Sequence, residues 1–173
     1  DKAVLEEFKS QQDKLKGIIC FSNGWSNPLL WGHYAKAHSG IALGFEVSDD
    51  VLFEVNYSNH RMRIQFDQST RTVVDGPKTL DRLLRTKFID WRYENEFRIF
   101  EELDPNSKEG GNYFHYFSEK VKLQEVILGM ECPLSIAHIK EFVAHTYGKK
   151  VHVLKAGMHR SQFKIIENRA ARQ

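Results

Sequence analysis

Cysteine is scarce in this chain, with only Cys20 and Cys132 among 173 residues. They lie far apart, with no CxxC and no metal-finger spacing, which argues against a disulfide scaffold and a zinc finger. Each sits in or beside a strand-like apolar run, so both are expected to be buried, reduced thiols of a cytoplasmic protein. An excess of one charge sign is also lacking. The 25 basic and 23 acidic residues leave a net charge of +2, too little to point to nucleic acid or a membrane surface. No apolar run approaches transmembrane length, and the first residues are charged and helical, so no secretory signal is read. The opening DKAVLEEF has no initiator methionine, which leads us to expect a segment before it.

The common catalytic signatures are missing as well. There is no G-x-G-x-x-G or P-loop for a nucleotide and no G-x-S-x-G for a hydrolase. Neither HExxH nor a pair of histidines with a carboxylate at ligand spacing occurs. His138, His145, His152 and His159 recur every seven residues, but Gly148 is expected to end the helix between the second and third. No metal is expected.

What the chain does have is the block KFIDWRYENEFRIF, Lys87 to Phe100. With a period of two, Trp91, Tyr93, Phe97 and Ile99 share one side, interrupted only by Asn95. Arg92, Glu94, Glu96 and Arg98 share the other. That pattern predicts a half-buried strand with apolar residues inward and a charge row in solvent. Glu94 and Glu96 then project the same way, roughly 6–7 Å apart, with a guanidinium at either end. One reading is a solvated, salt-bridged strand. The other is a catalytic pair of glutamates held by Arg92 and Arg98.

Around this block a helix is predicted from about Ala3 to Lys16, stopped by Gly17, with Val4, Leu5, Phe8, Gln12 and Leu15 as its stripe. A buried strand follows from Ile18 to Ser22. Asn27-Pro28 starts a helix that Ser39-Gly40 closes, with Leu30, Trp31, Tyr34 and Ala35 on one face and Gly32 there for close packing. GIALGFEV and VLFEVNY read as a hairpin, and Arg61 to Gln65 as a short strand. Asp67 to Lys78 reads as irregular, ended by Gly76-Pro77, and Thr79 as the cap of a helix from Leu80 to Lys87. Asp104 to Asn112 is a loop by composition, and Tyr113 to Phe117 an aromatic strand. Gln124–Gly129, a helix from Pro133 through Tyr147, and Val151–Leu154 form a strand–helix–strand crossover, with Ile136, Ile139, Phe142 and Val143 inward. A last strand covers Gln162 to Glu167. The whole reads as one α+β domain over residues 1–173, with a mostly antiparallel mixed sheet and a few packed helices.

Ser22, at a strand end, and His33 with Tyr34, on an aromatic helix, are polar groups suited to lining a pocket. Tyr113 to Tyr116 could stack on bases, although a core strand explains them more simply. Lys149, Lys150, Lys155, His159 and Arg160 could touch phosphate, although a solvated surface accounts for them as well.

The ordered blocks CFSNGWSNPLLWGHYAKAHSGIALGFE, VNYSNHR, TKFIDWRYENEFRIF, VILG and VHVLKAGMHRSQFKI resemble a large family of mostly bacterial domains of unknown function, family two-nine-seven-one. The resemblance runs from about Gly17 to the end. The family's usual upstream segment is not in this sequence, which implies the C-terminal two thirds of a longer domain. The Tyr93-Glu94-Asn95-Glu96-Phe97 stretch is in turn similar to the E-x-E strand of mono-ADP-ribosyltransferases. That likeness implies a split sheet, NAD as substrate, Glu96 as the catalytic carboxylate and Glu94 as its helper. It further implies that Ser22 supports the nicotinamide pocket. Trp31, His33, Tyr34 and Arg98 are expected to contact the cofactor as well. The acceptor would be an unidentified protein or nucleic acid, in a toxin or phage-defence setting.

Three functions remain open on this reading. The first is the NAD-using transferase. The second is a non-catalytic interaction or sensor module, with Glu94, Glu96 and Arg98 as a salt-bridged surface and the Trp31/His33/Tyr34 helix as a docking face. The third is a nuclease in which Asp90, Glu94 and Glu96 hold a metal.

Overall fold

In the computed structural model, which describes residues 2–147 and 151–172, the chain begins with α1 (Lys2–Leu15), β1 (Lys16–Ser22), α2 (Pro28–Tyr34) and β2 (Ile41–Val47). Short strands β3 (Phe53–Glu54), β4 (Asn56–Ser58), β5 (Phe66–Asp67) and β6 (Thr72–Val73) follow, then α3 (Gly76–Leu84) and β7 (Thr86–Phe88). The chain continues through β8 (Glu96–Glu102), β9 (Val121–Leu128), α4 (Ile136–Tyr147), β10 (His152–Met158) and β11 (Ile165–Glu167). Helices and mixed sheets make this an α+β protein, as expected. The chain folds into two compact units. One is Asp1–Ser22 with Asp49–Tyr116, and the other is Asn23–Ser48 with Phe117–Gln173.

In the first unit β1 and β3 flank β8 in an antiparallel sheet. A parallel pair, β4 with β7, and a small hairpin, β5 with β6, complete its strands. The predicted first helix is present as α1, but Leu15 is 52% exposed and no residue of the helix is buried. Gly17 does not stop this helix; it lies in β1. A Cβ there would meet the end of the Leu103 side chain at 2.9 Å, a contact that a small shift of that side chain relieves. The segment Arg61–Gln65 forms no strand, and α3 begins earlier than predicted. Pro77 lies in its first turn, a position that tolerates the missing N–H. Thr79 holds the helix start from inside, its hydroxyl donating to the Val74 carbonyl at 3.0 Å. The predicted strand at Tyr113–Phe117 is irregular, with Phe114 and Tyr116 exposed.

In the second unit the sheet order is β11-β10-β9-β2. β9 and β10 are parallel and joined through α4, as the strand–helix–strand reading expects. β2 pairs antiparallel with β9 rather than forming a hairpin with the segment after it. The eight-residue β9, with Val121, Val126, Ile127 and Leu128 buried, gives β2 a long apolar partner, whereas the segment after β2 offers only two short strands. Val126, Val143 and Val153 form one buried cluster, and Trp31, Ala35, Ile127, Ala156 and Ile165 another. Ile136 and Ile139 pack on the first cluster, but Phe142 turns outward, 59% exposed.

The cap of α2 forms as read. The Asn27 side chain accepts from the Leu29 N–H at 3.0 Å and Pro28 follows it. The helix ends at Tyr34, well before Ser39-Gly40, because Lys36, Ala37 and His38 all adopt left-handed φ angles of 46°, 49° and 67°. Gly32 is exposed and a Cβ there would meet nothing within 4 Å, so close packing does not explain it. Gly129 is different. A Cβ there would lie 2.0 Å from the His38 carbonyl oxygen, so only glycine fits. Gly148, Lys149 and Lys150 lie outside the described residues.

Candidate functional site

The block from Lys87 to Phe100 is not one strand. Residues Ile89–Glu94 form a 3-10 turn between β7 and β8, and Asn95 leaves it at φ 46°. Asparagine tolerates that left-handed conformation better than most residues. The turn breaks the period-two phase, and three of the four charges predicted to face solvent, Glu94, Glu96 and Arg98, turn inward. Glu94 is 4% exposed and Glu96 3%.

Both carboxylates converge on one ammonium group. Lys87 Nζ donates to Glu96 Oε2 at 2.7 Å and also to Glu94 Oε2. Arg98 Nε donates to Glu96 Oε1 at 2.6 Å, and the same guanidinium donates to the Leu84 carbonyl. The Glu96 backbone is held too. Its N–H donates to the Tyr57 hydroxyl at 2.9 Å, and its carbonyl accepts from the Val55 N–H at 3.0 Å. Lys87 Nζ also lies 5.1 Å from the centre of the Trp91 ring, a cation–π contact. In the β1–β8 register Ser22 faces Glu96 and Cys20 faces Arg98, so these side chains share one face. The Ser22 hydroxyl donates to the Glu94 carbonyl.

The electrostatics follow from this packing. Burial alone would raise the Glu96 carboxyl, but hydrogen bonds from Arg98, Lys87 and the Cys20 thiol outweigh it and hold the group at about 2. Burial opposes the charge on Lys87, yet its bonds to Glu94 and Glu96 raise its pKa. Arg98 is likewise raised by Glu96 against the effect of burial. The Cys20 thiol is pushed up to about 11, first by desolvation and then by its bond to Glu96 and that group's charge. Near neutral pH Glu96 is therefore a fixed anion, and Lys87 and Arg98 are fixed cations. Glu96, Lys87 and Cys20 are all poorly matched to proton transfer there.

Of the residues singled out from the sequence, Ser22, Glu94, Glu96 and Arg98 meet in the first unit. Trp31, His33 and Tyr34 belong to the second unit. Trp31 is a core residue, 2% exposed, its indole N–H donating to the Trp25 carbonyl at 2.6 Å. It therefore cannot offer its ring to a docking face. His33 and Tyr34 are exposed, their rings 6.2 Å apart. Arg92 is exposed, and Lys87 takes the place expected of it beside the carboxylates. Asp90 is also exposed. Among the described residues no three His, Cys, Asp or Glu side chains gather to hold a metal, so the nuclease trio does not form. Cys20 is exposed, against the expectation of a buried thiol, while Cys132 is buried; both are free.

Lys87 is the residue that the sequence reading missed. A signal was present. On the period-two pattern Lys87 falls on the apolar side with Trp91 and Tyr93, and a cation there asks for a buried anion.

The geometry thus defines an α+β protein with a buried, fully paired Glu–Lys–Glu–Arg cluster at the end of a β-strand. Residues 30–99 match the model of a family described as "Protein of unknown function (DUF2971)". The match takes in Lys87, Glu94, Glu96 and Arg98, but neither Ser22 nor the VILG and VHVLKAGMHRSQFKI blocks. No curated protein and no solved structure matches the chain. No helix among the described residues is long and apolar enough to cross a membrane.

Proposed function

We propose that this chain is a non-catalytic recognition or sensor module of the cytoplasm, in which Glu94, Glu96, Lys87 and Arg98 anchor the fold. One observation carries this reading. Glu96 is 3% exposed and each of its carboxylate oxygens already accepts a short charge-assisted bond, from Arg98 and Lys87. A carboxylate acting on a substrate must present an oxygen to it, and here that oxygen would first have to be taken from a buried cation. The test is Glu96→Gln, followed by denaturation and by nicotinamide release from NAD. This reading expects a clear loss of stability and no NAD turnover by either protein. Turnover by the original chain, abolished in a variant of unchanged stability, would overturn it.

A second reading is favoured by the meeting of Ser22, Glu94 and Glu96 at one end of the β1–β8 pair. In it the chain is an NAD-using ADP-ribosyltransferase. Glu96 serves as the catalytic carboxylate and Glu94 as its helper, while Ser22 and Arg98 contact the dinucleotide. The acceptor is a protein or nucleic acid, and the setting is toxin activity or phage defence. A fixed anion beside an oxocarbenium-like centre lowers its barrier, which gives the arrangement a chemical use. Calorimetry with NAD decides it. Binding that weakens in Glu96→Gln supports the transferase, and absence of binding removes it.

A further inference from the structure

Within the first unit, a cleft of about 560 Å³ opens beside α3, β4 and β7. Its charged lining comprises Arg61, Arg63, Arg82 and Arg85 with His60, against the single acid Asp81. Four arginines against one aspartate leave three positive charges before His60 is counted, more than the +2 net charge of the whole chain. Concentrating charge in a concave surface focuses the field on whatever enters it.

The pairing pattern leaves most of that charge available. Asp81 is taken by Arg85, at 2.7–2.8 Å, and Arg85 also lies 4.3 Å from the centre of the Phe53 ring. Among the described residues Arg61, Arg63 and Arg82 have no ion-pair partner. The end of α3 would normally oppose an anion, because a helix C-terminus exposes carbonyl oxygens. Here those oxygens are already engaged. The Arg85 N–H caps Asp81 and Leu83, the Thr86 hydroxyl caps Arg82 at 2.6 Å, Arg98 caps Leu84, and the Asn56 N–H caps Arg85 at 2.7 Å. What the cleft presents is therefore mainly guanidinium donors, whose planar fork matches phosphate oxygens two at a time.

We propose that this cleft is a binding site for a small anion carrying two or more phosphate groups. The volume lies within the range of about 300–1,000 Å³ typical of small-ligand sites. No Phe, Tyr or Trp lines it, so it lacks the stacking platform that a single-stranded nucleic acid uses, and recognition falls on the phosphates. This inference goes beyond either functional reading above and does not depend on the role of Glu96.

The test is calorimetry with inorganic tripolyphosphate at low salt, on the intact chain and on Arg61→Gln/Arg63→Gln, Arg82→Gln and Asp81→Asn. All four residues are exposed, so the variants are expected to keep the fold, and unchanged thermal unfolding verifies it. The proposal expects saturable binding that weakens with added salt. It expects a loss of about tenfold or more in the double arginine variant and in Arg82→Gln, and tighter binding in Asp81→Asn, where the competing carboxylate is gone. Failure to bind tripolyphosphate, or equal binding by the folded arginine variants, overturns it. So does tight binding of a single-stranded RNA with no binding of tripolyphosphate, which would make the cleft part of a nucleic-acid surface. Because Glu96→Gln is expected to bind tripolyphosphate normally while it remains folded, failure here is separable from failure of the anchor reading.

Discussion

Replacing Lys87 with methionine isolates the ion cluster better than any other change. Methionine keeps most of the apolar stem and removes only the ammonium that joins Glu94 to Glu96. The two carboxylate side chains are 6% and 4% exposed and that of Lys87 is 22% exposed. Removing one member of a buried ion pair costs about 3–5 kcal/mol, because the remaining charge is left uncompensated. Arg98 still serves Glu96, and Lys87 has partial access to water, so the lower end applies, about 3 kcal/mol. For a chain of this size that corresponds to a drop of about 6–12 °C in Tm. The assay is urea denaturation of both proteins between pH 7 and pH 2, followed by far-UV circular dichroism. The sign with pH is set by Glu96, whose folded-state pKa of about 2 lies below its ordinary value of 4.5. Its stabilisation is present above 4.5 and is lost as pH falls through about 2. The gap between the two proteins should therefore be widest near neutral pH and close toward pH 2. A gap under about 1 kcal/mol at pH 7, or one that widens on acidification, would refute the reasoning.

Other outcomes follow from the same geometry. Glu96→Gln should flatten the acid limb of the stability profile, since the group that titrates with a low pKa is gone; an unchanged limb on denaturation would contradict this. The Cys20 thiol, pushed up to about 11 against an ordinary 9.0, should react with iodoacetamide about a hundredfold more slowly than an unstructured cysteine at pH 8. Glu96→Gln should speed that reaction, as followed by mass spectrometry. Gly129→Ala should cost about 3 kcal/mol or more in the second unit, because its Cβ would lie 2.0 Å from the His38 oxygen; hydrogen exchange of β9 amides would show it.

The sequence made the long, uniformly periodic segments legible. β2, β9, α4 and β10 are recognisable because their apolar residues repeat at one period over several turns or pleats. The Asn27-Pro28 start of α2 is legible because its capping chemistry is local. The helix end was not, since Lys36, Ala37 and His38 take left-handed angles that propensity disfavours. The Glu131 N–H that donates to the His38 carbonyl comes from a segment distant in sequence. Pairing partners were also hidden. β2 could be recognised as a strand, but choosing β9 over the nearer segment depends on which partner buries more apolar surface. The site shows both sides of this. Glu94, Glu96 and Arg98 stood out as charges in a patterned block. Their inward direction depends on the turn at Ile89–Glu94, which short-range alternation does not encode. The markers of that turn were Asn95, breaking the apolar face, and Lys87, a cation placed on it.

The most direct measurement is the titration of the Glu96 carboxyl carbon by nuclear magnetic resonance in the folded protein, assigned by loss of its signal in Glu96→Gln. The account predicts a midpoint near 2, with the carboxylate ionised throughout the range in which the fold persists. A midpoint at or above 4.5 would mean that Arg98 and Lys87 do not hold the charge, and it would contradict the anchor at the centre of this structure.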